Sequence, residues 1–276
     1  MSADPGLFGP DSVTWRVHGD PSMALAGFRA LFLQALHPLA MAGVAGHSDF
    51  RADPWGRLIR TAEYVGVVTF GTVAEAQRAG ARVRGIHRRV SGVEPESGTP
   101  YRADNPELLT WVHCSEVDSF LACHRRSGGP ITGTEADRYV AEQTRAGALV
   151  GLDPGTLPAS TAELAEYYSL VRPALRLTAE ARRAARFVLF PPMPSRLVGI
   201  PVRPAWAGLA TLGFALLPRW ARRMYRLPGL ATTDLGASVA ARAVRASLLA
   251  VPPAVRDGPH VKAARVRLAA AAAEAG

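Results

Sequence analysis

The chain has 276 residues, 48% hydrophobic and 20% charged, which describes an ordered globular protein with a sizeable core and excludes a disordered or fibrous one. Its formal charge of +9 comes almost wholly from arginine, because Lys262 is the only lysine. The arginines recur between apolar residues at helical spacing, as in Arg219, Arg222, Arg223 and Arg226, and read as solvated helix faces. No zinc-finger spacing, recognition helix or aromatic platform accompanies them, so nucleic acid is not an expected partner.

In chain order, residues 1–14 read as an N-terminal extension. Met1-Ser-Ala-Asp-Pro-Gly6 has no basic n-region and no apolar core, so the expectation is a cytoplasmic protein without a signal peptide, at most peripheral to a membrane. An apolar helix over Ser22–Val44 is expected to bend at Pro38. Asp53-Pro54 is a cap followed by proline at the first helical position, starting a helix towards Phe70. Thr72-Val-Ala-Glu75 is a capping box, and Gly92 is expected to close the helix it opens. Asp104-Asn105-Pro106 starts a helix that continues to Arg126 before Gly128-Gly129. Cys114 and Cys123, nine residues apart on it, fall on opposite sides and cannot bridge, which suits a reducing compartment.

Thr132-Gly-Thr-Glu135 and Ser160-Thr-Ala-Glu163 read as two more capping boxes. Pro191-Pro192-Met193-Pro194 is a hard break, so 195–255 is either a small subdomain or the last helices of one domain spanning 15–255. The apolar run Ala205–Leu217 is too short to span a bilayer. With Trp206 and Trp220 near its ends and Arg203, Arg219, Arg222 and Arg223 around it, segment 205–223 is either a buried helix or a peripheral membrane contact. Residues 256–276 form an Ala/Arg-rich helical tail. No alternating strand, GxGxxG, phosphate loop, GxSxG, CxxC or HExxH is present, and the expected fold class is all-α, a single large helical bundle.

Three helices carry polar residues on apolar faces. Val73, Ala76, Gly80, Val83, His87 and Val90 follow one another at steps of three and four, which makes a buried stripe with an imidazole on it and bare glycine two turns before. Two readings are open for His87: a core histidine bonded to a backbone carbonyl, or a ligand beside a flat cofactor. Arg84 precedes it by one turn, and Arg88 and Arg89 follow. His113 is in the same position on a face with Leu109, Val117 and Phe120, with Glu116 one turn on. Arg57, Arg60, Thr61 and Tyr64 share the 53–70 helix, and Arg57 and Thr61, one turn apart, point to one pocket. A closed zinc site needs ligands that these helices lack. A haem needs one axial imidazole, arginines for its propionates and an apolar slot, and this composition suits it better. His37 is a third histidine candidate, although the following proline favours a role in capping carbonyls freed at the bend.

Leu36-His-Pro-Leu-Ala-Met-Ala-Gly-Val44, His47-Ser48, Asp53-Pro54 with Arg57, Arg60 and Thr61, Arg84-Gly-Ile-His-Arg-Arg-Val90, Tyr101-Arg-Ala-Asp-Asn-Pro106 and Leu109-Thr-Trp-Val-His113 together resemble the family that includes the MpaB oxygenase and latex clearing protein. The likeness runs from about residue 15 to the Leu-Pro-Gly-Leu segment near 230. It implies an all-helical domain binding a b-type haem, with the iron on His87. It also implies a distal face formed by Arg57 and Thr61, with Arg60 standing where the rubber-cleaving members carry a lysine. An amine can deprotonate and ligate iron, whereas a guanidinium stays charged and only donates hydrogen bonds. His113 is then an orienting residue or an alternative ligand, and Arg84 and Arg88 flank the cofactor. The implied reaction is oxygenation of a hydrophobic small molecule by dioxygen at an isoprenoid, terpenoid or lipid double bond. A haem-dependent dehydrogenase or peroxidase-like oxidoreductase, and a non-catalytic haem- or lipid-binding protein, are the alternatives. The oligomeric state is left open.

Overall fold

The computed structural model describes residues 4–47, 54–192 and 196–275. Its helices are α1 (Val13–His18), α2 (Met23–Gln34), α3 (Pro38–His47), α4 (Pro54–Phe70), α5 (Val73–His87), α6 (Pro106–Arg126), α7 (Gly133–Leu149), α8 (Thr161–Val171), α9 (Ala179–Leu189), α10 (Arg196–Ala215), α11 (Arg219–Met224), α12 (Ala231–Leu249), α13 (Pro253–Arg256) and α14 (Pro259–Ala275). The all-α expectation holds, with one exception. Strands β1 (Ser91–Val93) and β2 (Pro100–Arg102) form an antiparallel hairpin between α5 and α6.

That hairpin corrects two expectations. Gly92 does not close the α5 helix, which ends at His87 with Arg88 as its C-cap, and Val90 lies beyond it. Three-residue strands are too short to show an alternating pattern, so side-chain chemistry holds the turn instead. The buried Glu94 carboxylate accepts from Glu96 N, Ser97 N, Ser97 Oγ at 2.6 Å and Arg176 Nη2 at 2.6 Å. Gly98 sits at φ +70, a conformation that glycine adopts without strain. Gly92 has another reason to be glycine: a Cβ there would lie 2.7 Å from the Tyr101 hydroxyl.

Helix α6 is the axis of the fold. Asn105 caps it by accepting from Glu107 N at 2.8 Å, and Pro106 occupies the first turn. It buries Trp111, Cys114, Val117, Phe120, Leu121 and Cys123 in the main core. Both cysteines are free and buried. Helix α2 packs along α6 and α10 packs on α2, with Phe28 edge-on to Trp206 at 4.8 Å and Phe32 to Phe214 at 5.1 Å. Ala210, Leu216, Leu217, Ala221, Ala237 and Ala241 belong to that same core. Most apolar residues of 205–217 are therefore directed into the protein, while Arg203, Ala205, Gly208, Thr211 and Arg219 face outward.

Not all arginines coat the surface, which corrects the reading of the 219–226 group. Arg222 is 2% exposed. The carbonyls freed where α10 ends are covered by guanidinium groups. Leu216 O accepts from Arg29 Nε and Arg126 Nη1, both at 3.0 Å, and Leu217 O from Arg222 Nη1 at 3.2 Å. Asp118 and Asp234 balance these charges, at 2.7 Å from Arg29 and 2.6 Å from Arg222. Arginine suits this role because its planar fork donates to several acceptors at once without losing its charge.

At the N-terminal side, α2 and α3 meet at 105° at the Pro38 break. His37 does not cap carbonyls there: its Nδ1 faces the Ala40 N–H at 3.5 Å, at the start of α3. The Thr132 capping box is complete. At Ser160 the Glu163 carboxylate instead accepts from Ala159 N at 2.8 Å. The Asp53 cap, Ser48 and the Met193-Pro194 half of the proline break lie outside the described residues. No single described helix is long and apolar enough to cross a membrane.

Helices α4 and α5 form an antiparallel hairpin closed by Gly71 and the Thr72 capping box. The stripe on α5 is as spaced: Ala76 and Gly80 are buried, and Val83 and His87 are partly buried. Gly80 is not open space for a flat cofactor, however. The C-terminal end of α7 fills it, and a Cβ there would meet Leu149 O at 2.6 Å. Gly80→Ala is therefore expected to destabilise the protein by about 1–3 kcal/mol through overpacking. Gly85→Ala, with nothing within 4 Å, should instead stabilise it by about 0.5–1 kcal/mol. Urea unfolding of the two variants checks both signs.

Candidate functional site

The close approach at Gly80 places α5 beside the end of α7, and α6 packs on α7. Arg84 seals this corner: its Nη1 donates to Leu149 O, and its chain lies over Gly151. Carbonyls at a helix C-terminus have no intrahelical partner, so a cation there satisfies one of them and the helix dipole together. His87 is one turn further along α5. Neither of its ring nitrogens has a hydrogen-bond partner among the described residues, and Nδ1 is buried. Burial holds its pKa below the usual histidine value, with Asp104 opposing that in part. At neutral pH it is a neutral imidazole with a free lone pair.

His113 enters the same region from α6. It lies against α7 at Gly147, whose added Cβ would stand 3.5 Å from the imidazole Cε1, and Leu109, Leu152 and Leu157 make an apolar cluster beside it. Burial pushes its pKa down to about 4, so it too is uncharged. One turn on, burial pushes Glu116 up to about 7. Tyr64 comes from α4, packed with Val68, Ala76, Ala146 and Leu149. Its hydroxyl is buried without a partner, within electrostatic reach of Glu116 and Arg84. Tyr64 and Glu116 thus lie near the corner that Arg84 seals, His113 meets α7 at Gly147, and His87 stands one turn beyond Arg84 on α5.

The other expected site residues are placed as follows. Arg57 is partly buried near the start of α4, and burial, then the charge of Arg60, lowers its pKa. Arg60 and Thr61 are exposed, and Thr61 Oγ1 donates to Arg57 O at 3.0 Å, one turn back. Arg88 is exposed at the C-cap of α5. His37 lies apart, tilted against Trp111 at 6.0 Å. An apolar groove of about 510 Å³ opens beside the first turn of α4, lined by Phe190, Pro191, Pro192 and Trp206. Trp55 borders it, edge-on to Trp206 at 4.8 Å.

The described residues contain no group of three His, Cys, Asp or Glu side chains that could hold a metal ion. What they offer instead is imidazoles without a hydrogen-bond partner, His87 Nδ1 and both ring nitrogens of His124 among them, and one such imidazole is the protein donor that haem iron requires. A family model described as ER-bound oxygenase mpaB/B'/Rubber oxygenase, catalytic domain, matches residues 15–246. The chain belongs to this mpaB and rubber oxygenase family. Neither the curated proteins nor the solved structures give a match. Membership makes this the catalytic domain of an oxygenase family, and the matched residues run from α1 through most of α12, covering every helix that lines the site.

Sequence reasoning missed the share of α7 in the site. Tyr139 and the Gly147–Leu149 end bear no chemistry that a motif would flag. The signal available was the small-residue run Ala146-Gly-Ala148, which marks a close approach between helices. A buried hydroxyl without a partner costs stability that phenylalanine avoids. Tyr64→Phe is accordingly expected to stabilise the chain without ligand by about 1 kcal/mol. A lower denaturation midpoint for this variant would show that the hydroxyl is bonded in solution.

Proposed function

We propose that this chain is a haem b-dependent oxygenase that uses dioxygen to oxidise or cleave a double bond of a hydrophobic isoprenoid, terpenoid or lipid. The observation that carries the reading is His87: a neutral imidazole on an inner helix face, with no hydrogen-bond partner for either ring nitrogen among the described residues. His18 on α1, by contrast, is held by Thr69 at 2.8 Å and by Tyr139 at 3.0 Å. The residues therefore fit the cofactor that the family resemblance implies.

In this reading His87 holds the iron, and haem supplies the redox chemistry that activates dioxygen. Helix α4 does the positioning. Arg57 and Thr61, coupled one turn apart, fix the face presented to the substrate. Arg60 provides a guanidinium that stabilises negative charge as it develops on oxygen. Arg88 is placed to meet a carboxylate edge, whereas Arg84 already serves Leu149 O. His113, with Leu109, Leu152 and Leu157 around it, orients the occupant and keeps water out. The groove at Phe190 and Trp206 gives an apolar substrate a way in beside Trp55.

The test is a visible spectrum of the purified protein supplemented with haem. A Soret band is expected for the wild type, lost or strongly shifted in His87→Ala and retained in His113→Ala. No Soret band, or one indifferent to His87→Ala, overturns the proposal. Addition of oxygen to the reduced protein should give a species that decays faster with a terpenoid present. Decay indifferent to the alkene would instead favour a carrier or an electron-transfer oxidoreductase.

A further inference from the structure

The charge of this chain is unevenly placed along it. Residues 181–256 hold twelve arginines and one acid, Asp234, out of 32 bases and 23 acids in all, which leaves 20 and 22 for the remainder. The whole positive excess therefore lies in the stretch from α9 to α13, an asymmetry that points to an anionic partner. Asp234 is already engaged, 2.5 Å from Arg219 and 2.6 Å from Arg222. Arg223 and Arg226 are exposed, and their guanidinium groups have no hydrogen bond or ion pair among the described residues.

Apolar side chains stand out from the same corner. Arg226 reverses the chain after α11 at φ +61, a conformation that non-glycine residues rarely adopt. Beyond it, Leu227, Leu230, Leu235 and Val239 are 50%, 54%, 68% and 58% exposed. Buried polar contacts hold the corner together. Arg222 Nη2 donates to Leu230 O at 3.4 Å as well as to Asp234 in the first turn of α12. Gly229 packs back onto α11, where a Cβ would stand 3.0 Å from Arg223 Nε and 3.1 Å from Arg219 Cβ. Along α12, Leu235, Val239, Ala243 and Ala246 follow at steps of four and three, all of them exposed. Ala237 and Ala241, on its other side, enter the main core. A surface helix ordinarily turns a polar face to water; this one is apolar on both sides.

Two free guanidinium groups beside a row of exposed leucines fit a lipid headgroup region, which offers phosphates and acyl chains together. Nucleic acid would use the arginines and leave the leucines in water. A second copy packed about a two-fold axis would set the same unpaired arginines against each other.

We propose that α11, the Leu227–Leu230 turn and the outer face of α12 dock on an anionic lipid bilayer. Leu227, Leu230 and Leu235 enter the headgroup boundary, and Arg223 and Arg226 meet lipid phosphates. The contact falls one segment after the apolar run 205–217, most of which is directed into the protein. Docking does not depend on the oxygenase reading and is measured without haem.

Co-sedimentation of the full chain with vesicles tests it. The protein should pellet with vesicles of phosphatidylglycerol and phosphatidylcholine, and stay in solution with phosphatidylcholine alone. Replacing both free arginines, Arg223→Gln with Arg226→Gln, should weaken binding about 30-fold. Leu227→Gln with Leu235→Gln should weaken it about 100-fold. Salt at about 1 M, which confines charge effects to about 3 Å, should reproduce the arginine loss. Far-ultraviolet circular dichroism of both double variants should match the wild type. Cys114 and Cys123 are buried, so a polarity-sensitive dye on Leu227→Cys reports this surface alone. Its emission should shift to the blue with the anionic vesicles. The same dye on Val266→Cys of α14, a position 70% exposed, should not respond.

Failure of the wild type to pellet with anionic vesicles overturns the proposal. Binding that survives the leucine changes, or no blue shift at Leu227, also overturns it and leaves simple anion binding. A dimer that Leu235→Gln dissociates, without vesicle binding, puts a second copy on this face instead.

Discussion

The contact on which the site depends is the one between Gly80 of α5 and Leu149 at the end of α7. Only a residue without a Cβ lets the two backbones come this close, and once they do, Arg84 reaches across to satisfy the Leu149 carbonyl. A helix end that would otherwise need water is thereby closed from within. Because α5 and α7 are locked here, His87 lies one turn beyond the lock and His113 meets α7 two residues before it, at Gly147. Arg84 and His113 both meet the end of α7 because of a packing constraint that involves none of their chemistry.

The same use of arginine recurs across the molecule. At the end of α10, Arg29, Arg126 and Arg222 cover freed carbonyls while Asp118 and Asp234 neutralise them. A chain almost without lysine can do this because a guanidinium serves several acceptors and remains charged when buried. These arginines fix the core that α2, α6 and α10 share. The net charge of +9 therefore says less about a polyanionic partner than its size suggests.

Much of this was legible beforehand. Helix starts were read from capping chemistry at Thr72, Asn105 and Thr132, since each is a local hydrogen-bonding pattern between residues three apart or fewer. The α5 stripe was read from its spacing, and Ala76 and Gly80 are buried as it required. What spacing could not tell was the partner of each face. Gly80 looked like room for a cofactor because a glycine is equally consistent with a ligand and with a neighbouring backbone. The hairpin at Ser91–Arg102 escaped because three-residue strands have no period. Arg222 was placed with solvated residues because helical spacing cannot distinguish an outward arginine from one folded back onto the end of the preceding helix. The saturation of Glu94 and Glu142 exists only in three dimensions, where donors from the hairpin turn and from α1 come into range.

The central claim is that the unpartnered imidazole of His87 is the protein's hold on a haem iron. Chemical rescue tests it most directly, by titrating free imidazole into haem-supplemented His87→Gly and His113→Gly proteins and recording the Soret region. The account predicts that His87→Gly recovers the wild-type spectrum as imidazole fills the vacated space, and that His113→Gly shows it before any imidazole is added. Rescue confined to His113→Gly, or a wild-type spectrum in His87→Gly without imidazole, would contradict it.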